Sequence, residues 1–302
     1  MMEHPGLICH SPAPVLRGLL KTLRPKQWVK NIFVGIPLVF AQRLADPESL
    51  WRTAAAIALF CLISGCVYIV NDLVDVEKDR AHPKKCNRPI ASGELPPRAA
   101  QVFASVTAPT VIVLGYLLSP WLSAVLAGYF VQNLLYCFWI KRIPYLDVMS
   151  IAAGFVLRVL AGALAIDVAA SAWLMGNTAL LAMFLGFGKR AHELATQDVT
   201  KTRPSLGGYN AKHLRGILYL LAGVSLATYF MYLQSEHVQQ VFGDAPLIYT
   251  FPFAVVGILR FLRLITTHTE AESPTDEMLR DPLFMLNFLG FLAATGFALY
   301  RG

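Results

Sequence analysis

Nine runs of about 20 mostly apolar residues recur along this chain, and no other feature limits its fold as much. They lie near 29–46, 53–74, 99–118, 120–140, 146–166, 171–188, 213–234, 246–267 and 282–300. At about 1.5 Å of rise per residue, a helix of that length crosses the roughly 30 Å hydrocarbon layer of a bilayer. Composition agrees: 56% of the 302 residues are hydrophobic and 15% are charged, against about 25% charged in a soluble domain. Mean hydropathy is +0.52. An ordinary soluble protein, a disordered chain and a secreted disulfide scaffold are thereby excluded. The expected fold is all-α: an integral membrane protein of nine transmembrane helices, forming a single polytopic domain over 1–302 with 1–28 as an N-terminal arm. Gly35 and Pro37 interrupt the first run, and Ser119–Pro120 marks a tight turn between the third and fourth.

Lysine and arginine orient the spans. Of the 26 basic residues, all but Arg43, Arg52, Arg158 and Arg301 fall on one side of a nine-span threading. The N-terminal arm, the 2–3 and 6–7 connections, and the shorter 4–5 and 8–9 connections share them. That side is expected to be cytoplasmic, in the plasma (inner) membrane, with the N-terminus inside. The cytoplasmic 2–3 and 6–7 connections run to about 25 residues each, and long connections in compact folds are often functional. The five cysteines have no C-x-x-C spacing, so free thiols are expected in place of a zinc site or disulfides. The N-terminus MMEHPGLICHSPAP lacks a basic region followed by a clean apolar one, so no cleaved signal peptide is expected.

The chemistry concentrates where the second run ends, at Asn71-Asp72-Leu-Val-Asp75-Val-Glu77-Lys78-Asp79. Asp72, Asp75 and Asp79 stand at i, i+3 and i+7, and Asn71 at i−4 to Asp75, so a helix puts all four on one face. Such carboxylates repel one another unless a cation sits between them. Hard oxygen ligands suit Mg²⁺, which takes one or two carboxylates plus substrate phosphates. A solvated acidic helix end would carry the same residues. The following stretch, with Arg80, His82-Pro83-Lys84-Lys85, Arg88-Pro89 and Gly93, sets dense positive charge beside the acids. Lysine and arginine beside a metal make a diphosphate clamp, arginine as a bidentate fork and lysine as a point charge. Positive-inside bias alone accounts for the lysines as readily.

Asn71-Asp72-x-x-Asp75-x-x-x-Asp79 followed by His82-Pro83-x-Lys85-x-x-Arg88-Pro89-x-x-x-Gly93 resembles the first signature of the UbiA superfamily of intramembrane prenyltransferases. The resemblance covers essentially the whole chain. It implies a UbiA-like helical bundle around a cavity, Mg²⁺ and a diphosphate under cytoplasmic cap loops, and a lateral opening for a lipid chain. It also implies Asp72, Asp75 and Asp79 as catalytic residues, with Asp72 and Asp75 holding the metal.

The chain departs from the aromatic-acceptor members in the 6–7 connection. Where those carry a second aspartate-rich motif, this chain reads Gly186-Phe-Gly188-Lys189-Arg190-Ala-His192-Glu193, with Asp198 further on. Fewer carboxylates argue against a second all-protein Mg²⁺ site, and the basic pair suggests another anionic group, unless it is only a positive-inside stop. With Arg24-Pro25-Lys26-Gln27-Trp28-x-Lys30-Asn31 and Ile143-Pro144-Tyr145-Leu146-Asp147, the pattern is similar to the superfamily branch that transfers 5-phosphoribose from phosphoribosyl pyrophosphate to decaprenyl phosphate. That resemblance implies release of pyrophosphate and a role in cell-wall arabinogalactan synthesis. It nominates Lys26, Asn31, Asn71, Lys85, Arg88, Tyr145, Arg158, Lys189, Arg190 and Glu193 for substrate binding. Arg158 lies within the fifth run, three helical turns after Asp147, and an intramembrane arginine faces a cavity or a partner. A prenyl diphosphate:aromatic acceptor transferase is the alternative, and a transporter a more distant one. Nothing points to nucleic acid, and the sequence leaves association into a homo-oligomer open.

Overall fold

The computed structural model describes residues 15–196, 205–243, 245–267, 277–278 and 280–300; Asp198 lies outside them. Within the described residues there are helices and no strands. The chain divides into two compact units, one of residues 1–32 and 57–137, the other of 33–56 and 138–302.

The first unit opens with helix α1 (Val15–Thr22). Most of the long helix α3 (Pro47–Val74) belongs to it. After α3 come two short helices, α4 (Val76–Arg80) and α5 (Pro89–Ser92), then α6 (Pro97–Leu118) and α7 (Pro120–Phe138). Phe60 of α3 meets Tyr129 of α7 edge-on, with ring centroids 5.1 Å apart. Prolines at the first positions of α5, α6 and α7 start those helices where a missing N–H costs nothing.

In the second unit α8 (Leu146–Ala165) and α10 (Ala211–Leu233) both pack against α9 (Ala172–Thr196). Helix α11 (Glu236–Phe242) follows, then α12 (Phe251–Thr267) and α13 (Pro282–Tyr300), which pack on each other. The core gathers Val148, Phe184, Phe187, Leu214 and Phe261.

Among the described residues seven helical stretches, within α3, α6, α7, α8, α10, α13 and 247–265, are long and apolar enough to cross a membrane. The structure departs from the nine expected runs at the first of them. Residues 25–40 form a 3-10 helix (Pro25–Gly35) and a five-residue helix α2 (Ile36–Phe40), not one spanning α-helix. Pro37 cannot donate into a continuous α-ladder, which fits the change of helix type beside it. The short piece is held by contact instead: Gly162 of α8 lies so close to the Val34 carbonyl that a Cβ there would collide with it. Helix α9 is 25 residues long, but Asn177 and the Lys189-Arg190-Ala191-His192-Glu193 end make it less apolar. In the most apolar part of α3, 61% of residues are buried, and in α8 56%, against 17% in α13. Helix α13 therefore leaves most of its apolar surface exposed, which is stable when lipid is the solvent. The four described cysteines, Cys61, Cys66, Cys86 and Cys137, are free thiols.

Candidate active site

The acidic motif sits where α3 gives way to α4. The expected single helix breaks at Asp75, whose φ of −97° and ψ of 7° leave the helical range. Its register survives, because the Asp75 N–H donates to the Asn71 carbonyl at 3.0 Å and the Asp79 N–H to the Asp75 carbonyl at 2.8 Å. Asp72 and Asp79 are both buried, while Asn71 and Asp75 are half-buried. Seven residues apart, the two buried carboxylates converge on one guanidinium. Arg88 Nη1 donates to Asp79 Oδ2 at 2.6 Å and to Asp72 Oδ1 at 3.1 Å.

A second arginine shares Asp72. Arg24 Nη2 donates to the same Oδ1 at 2.5 Å, and its guanidinium carbon lies 4.8 Å from the centre of the Tyr68 ring. Arg24 itself has φ of +51°, the left-handed region that non-glycine residues enter only when their surroundings hold them there. It lies between α1 and the 3-10 helix that begins at Pro25. Sequence reasoning did not select Arg24 or Tyr68. The available signal was the Arg-Pro-Lys-Gln-Trp motif, in which Arg24 precedes the proline.

The basic stretch after the acids is built, not loose. His82 Nδ1 accepts the N–H groups of Lys84 and Lys85 at 3.2 and 3.3 Å. Pro89 starts α5, and Gly93, with φ of +83°, closes it in the left-handed conformation that favours glycine. Lys21 Nζ grips Glu94 at 2.7 Å. These contacts fix where Arg88 stands. Lys85 is half-buried and Lys26 exposed. Asn31 is buried, and its amide donates to Cys61 Sγ at 3.3 Å and Ser64 Oγ at 3.4 Å. Its polar group at the start of an apolar run thus has an internal partner. Asn71 Oδ1 accepts from the Cys137 thiol at 3.7 Å.

The second unit holds another charged cluster at the start of α8. Asp147 is fully buried. Arg190 Nε donates to its Oδ2 at 2.9 Å, Ser205 Oγ to the same oxygen at 3.4 Å, and the Tyr209 phenol to its Oδ1. Arg190 Nη1 also donates to Glu193. The Tyr209 oxygen accepts the Tyr145 N–H at 2.8 Å, with the two rings 4.7 Å apart. Burial and the neighbouring Asp147 carboxylate push the Tyr209 phenol well above its ordinary pKa, so it stays a donor. Tyr145, Arg190 and Glu193, nominated above for substrate, are thus joined to one another through Asp147 and Tyr209. Asp147, three turns from Arg158, bonds Arg190 across helices instead. Arg158 Nη1 donates to the Gly154 carbonyl at 2.8 Å. Lys189 is half-buried.

Among the described residues no three His, Cys, Asp or Glu side chains gather into an all-protein metal cage. The donor set at Asp72 and Asp75 suits the other mode of Mg²⁺, one or two carboxylates shared with substrate phosphates. Two buried carboxylates beside two arginines can accommodate both a cation and a diphosphate.

A model of the UbiA prenyltransferase family matches residues 32–288. The chain is 32% identical to the decaprenyl-phosphate phosphoribosyltransferase of Mycolicibacterium smegmatis, across 96% of this chain and 94% of that one. It is 31% identical to the protein of the same name from Mycobacterium tuberculosis, across 98% and 99%. A UbiA homolog from Archaeoglobus fulgidus, solved bound to GPP and Mg²⁺, matches with a TM-score of 0.71 at 18% identity, across 94% of this chain and 100% of that one. The last is a likeness of fold.

Proposed function

Because this chain belongs to the UbiA prenyltransferase family, we propose that it is the membrane enzyme that transfers 5-phosphoribose from phosphoribosyl pyrophosphate to decaprenyl phosphate. The observation that carries the reading is its full-length similarity to proteins named for phosphoribosyl transfer to that lipid. The bond between ribose C1 and pyrophosphate breaks, and a lipid phosphate oxygen bonds to C1. The acceptor is already an anion, so no strong base is needed to activate it, unlike an aromatic ring that must lose a proton.

Asp72 and Asp75 would hold Mg²⁺, which when bound neutralises charge on departing pyrophosphate. Arg88 and Lys85 bind the diphosphate, and Asp79 holds Arg88 in place. Lys26, Lys189 and Arg158 supply positive charge for the 5-phosphate and the lipid phosphate. Asn31 and Asn71 position the acidic motif, and Asp147, Arg190, Glu193 and Tyr145 fix the start of α8. The protein works in the plasma membrane as one polytopic domain, with N-terminus and catalytic loops cytoplasmic. The skew of lysine and arginine supports that orientation. The product then enters cell-wall arabinan synthesis.

The test incubates membranes containing the protein with labelled phosphoribosyl pyrophosphate and decaprenyl phosphate, with and without Mg²⁺. Label should enter the lipid fraction only with Mg²⁺. Absence of label there, with turnover of a prenyl diphosphate onto an aromatic acid, would overturn the reading in favour of the aromatic-acceptor alternative.

A further inference from the structure

Asp72 accepts from two guanidiniums on one oxygen, Arg24 at 2.5 Å and Arg88 at 3.1 Å. Its side chain is 2% exposed and that of Asp79 5%, while both arginines are 27% exposed. The arginines thus stand between the buried carboxylates and the outside. Within this contact two guanidiniums meet the two buried carboxylates. A buried carboxylate stripped of its partner is strongly unfavourable, so nothing can remove these arginines unless it neutralises the acids.

We propose that at Asp72 the guanidiniums of Arg24 and Arg88 are exchangeable counter-ions, Arg88 keeping its hold on Asp79, and that this exchange makes the divalent cation and the diphosphate bind as mutually dependent ligands. This rests on the function proposed above. A cation arriving alone meets carboxylates already paired with two guanidiniums. A diphosphate arriving alone must draw the guanidiniums away and leave the acids uncompensated, with phosphate charge beside them. When both arrive, the cation takes the carboxylates and the guanidiniums turn to the phosphate oxygens, for which their forked donors are suited. No charge is orphaned at the end. Each ligand therefore strengthens the other, and such coupling is reciprocal by thermodynamic necessity.

Arg24 is central to the exchange and has no place among the residues nominated from sequence. Its guanidinium rests on the Tyr68 ring, a face that can keep a cation in place while it changes anionic partner. Its left-handed backbone fixes the origin of the side chain. Arg88 is different, since Asp79 keeps a 2.6 Å hold on it. Arg24 is thus the switching residue and Arg88 the anchored one.

The purified full chain in detergent or nanodiscs is titrated with Mn²⁺, read by electron paramagnetic resonance, with and without inorganic pyrophosphate. For the wild type, Mn²⁺ should bind at least about tenfold more tightly with pyrophosphate, a coupling within the ordinary range. In Arg24→Gln, Mn²⁺ alone should bind more tightly than in wild type, and the gain from pyrophosphate should shrink. Arg24→Lys, which keeps the charge, should restore most of the dependence. Circular dichroism shows whether each variant is folded, and the wild-type titration is decisive without them. Mn²⁺ affinity indifferent to pyrophosphate in the wild type overturns the exchange, even where the transfer assay succeeds. So does a folded Arg24→Gln that binds Mn²⁺ no better than wild type. A wild type that binds no Mn²⁺ even with pyrophosphate removes the metal–diphosphate reading itself.

Discussion

Asp72 and Asp147 are both buried aspartates paired with arginine, and they differ in how much of the arginine is open. Around Asp72 the guanidiniums of Arg24 and Arg88 belong to side chains 27% exposed. Around Asp147, Arg190 is 2% exposed. There the second arginine contact is another protein carboxylate, Glu193, and Asp147 also accepts from Tyr209, Ser205 and the Val148 N–H. The same ion-pair chemistry yields a pair open to exchange in one unit and a fixed joint in the other. In the proposed reading, exposure of the cation, more than the identity of the anion, separates a binding site from a structural one.

That contrast can be broken at several points. Arg190→Ala should have the largest effect, about 3–5 kcal/mol of stability, because it strands Asp147 and Glu193 without a counter-charge. Thermal unfolding in detergent would show it, and Arg190→Lys should not repair it, since a point charge cannot reproduce the fork. Next comes Asp72→Ala. It should reduce label transfer by at least 10²-fold to 10³-fold, roughly 3–4 kcal/mol of barrier, while the protein still accumulates in membranes. An inactive but well-folded Arg190→Ala, or an unfolded Asp72→Ala, would reverse the two assignments. Tyr209→Phe removes a donor to Asp147 and an acceptor for the Tyr145 N–H, for an expected loss of about 1–3 kcal/mol of stability. Activity per folded molecule should change little. Lys21→Ala should cost least, about 1 kcal/mol or below, because the lysine of its pair with Glu94 is about half exposed to solvent. A larger loss there would mean that α5 depends on that pair more than its exposure suggests.

Much of this was legible in the sequence. The apolar runs announced an all-helical membrane protein, and the spacing of Asp72 and Asp79 placed both on one side, where Arg88 now bridges them. The family followed from the motif. What stayed hidden was which cation meets which anion. Asp147 and Arg190 are 43 residues apart, and no periodicity links positions on two different helices. Counting turns put Asp147 and Arg158 on one face, yet Asp147 takes its partner from another helix. Arg24 was hidden because its role depends on a left-handed backbone just before a proline, a conformation that propensity does not favour for arginine. The first apolar run misled for a related reason, since hydropathy counts residues and is blind to the helix type that Gly35 and Pro37 permit.

The crowding at Gly162 reverses an ordinary rule of protein engineering. Replacing a mid-helix glycine with alanine usually gains stability, because the unfolded chain loses freedom and the helix gains propensity. Gly128 of α7, with open space where a Cβ would go, should obey that rule. At Gly162 the same added methyl meets the Val34 carbonyl, and a carbonyl cannot rotate aside as a side-chain tip can. For anyone seeking a sturdier version of this protein, the two glycines carry opposite instructions, and only the packing around them tells which is which.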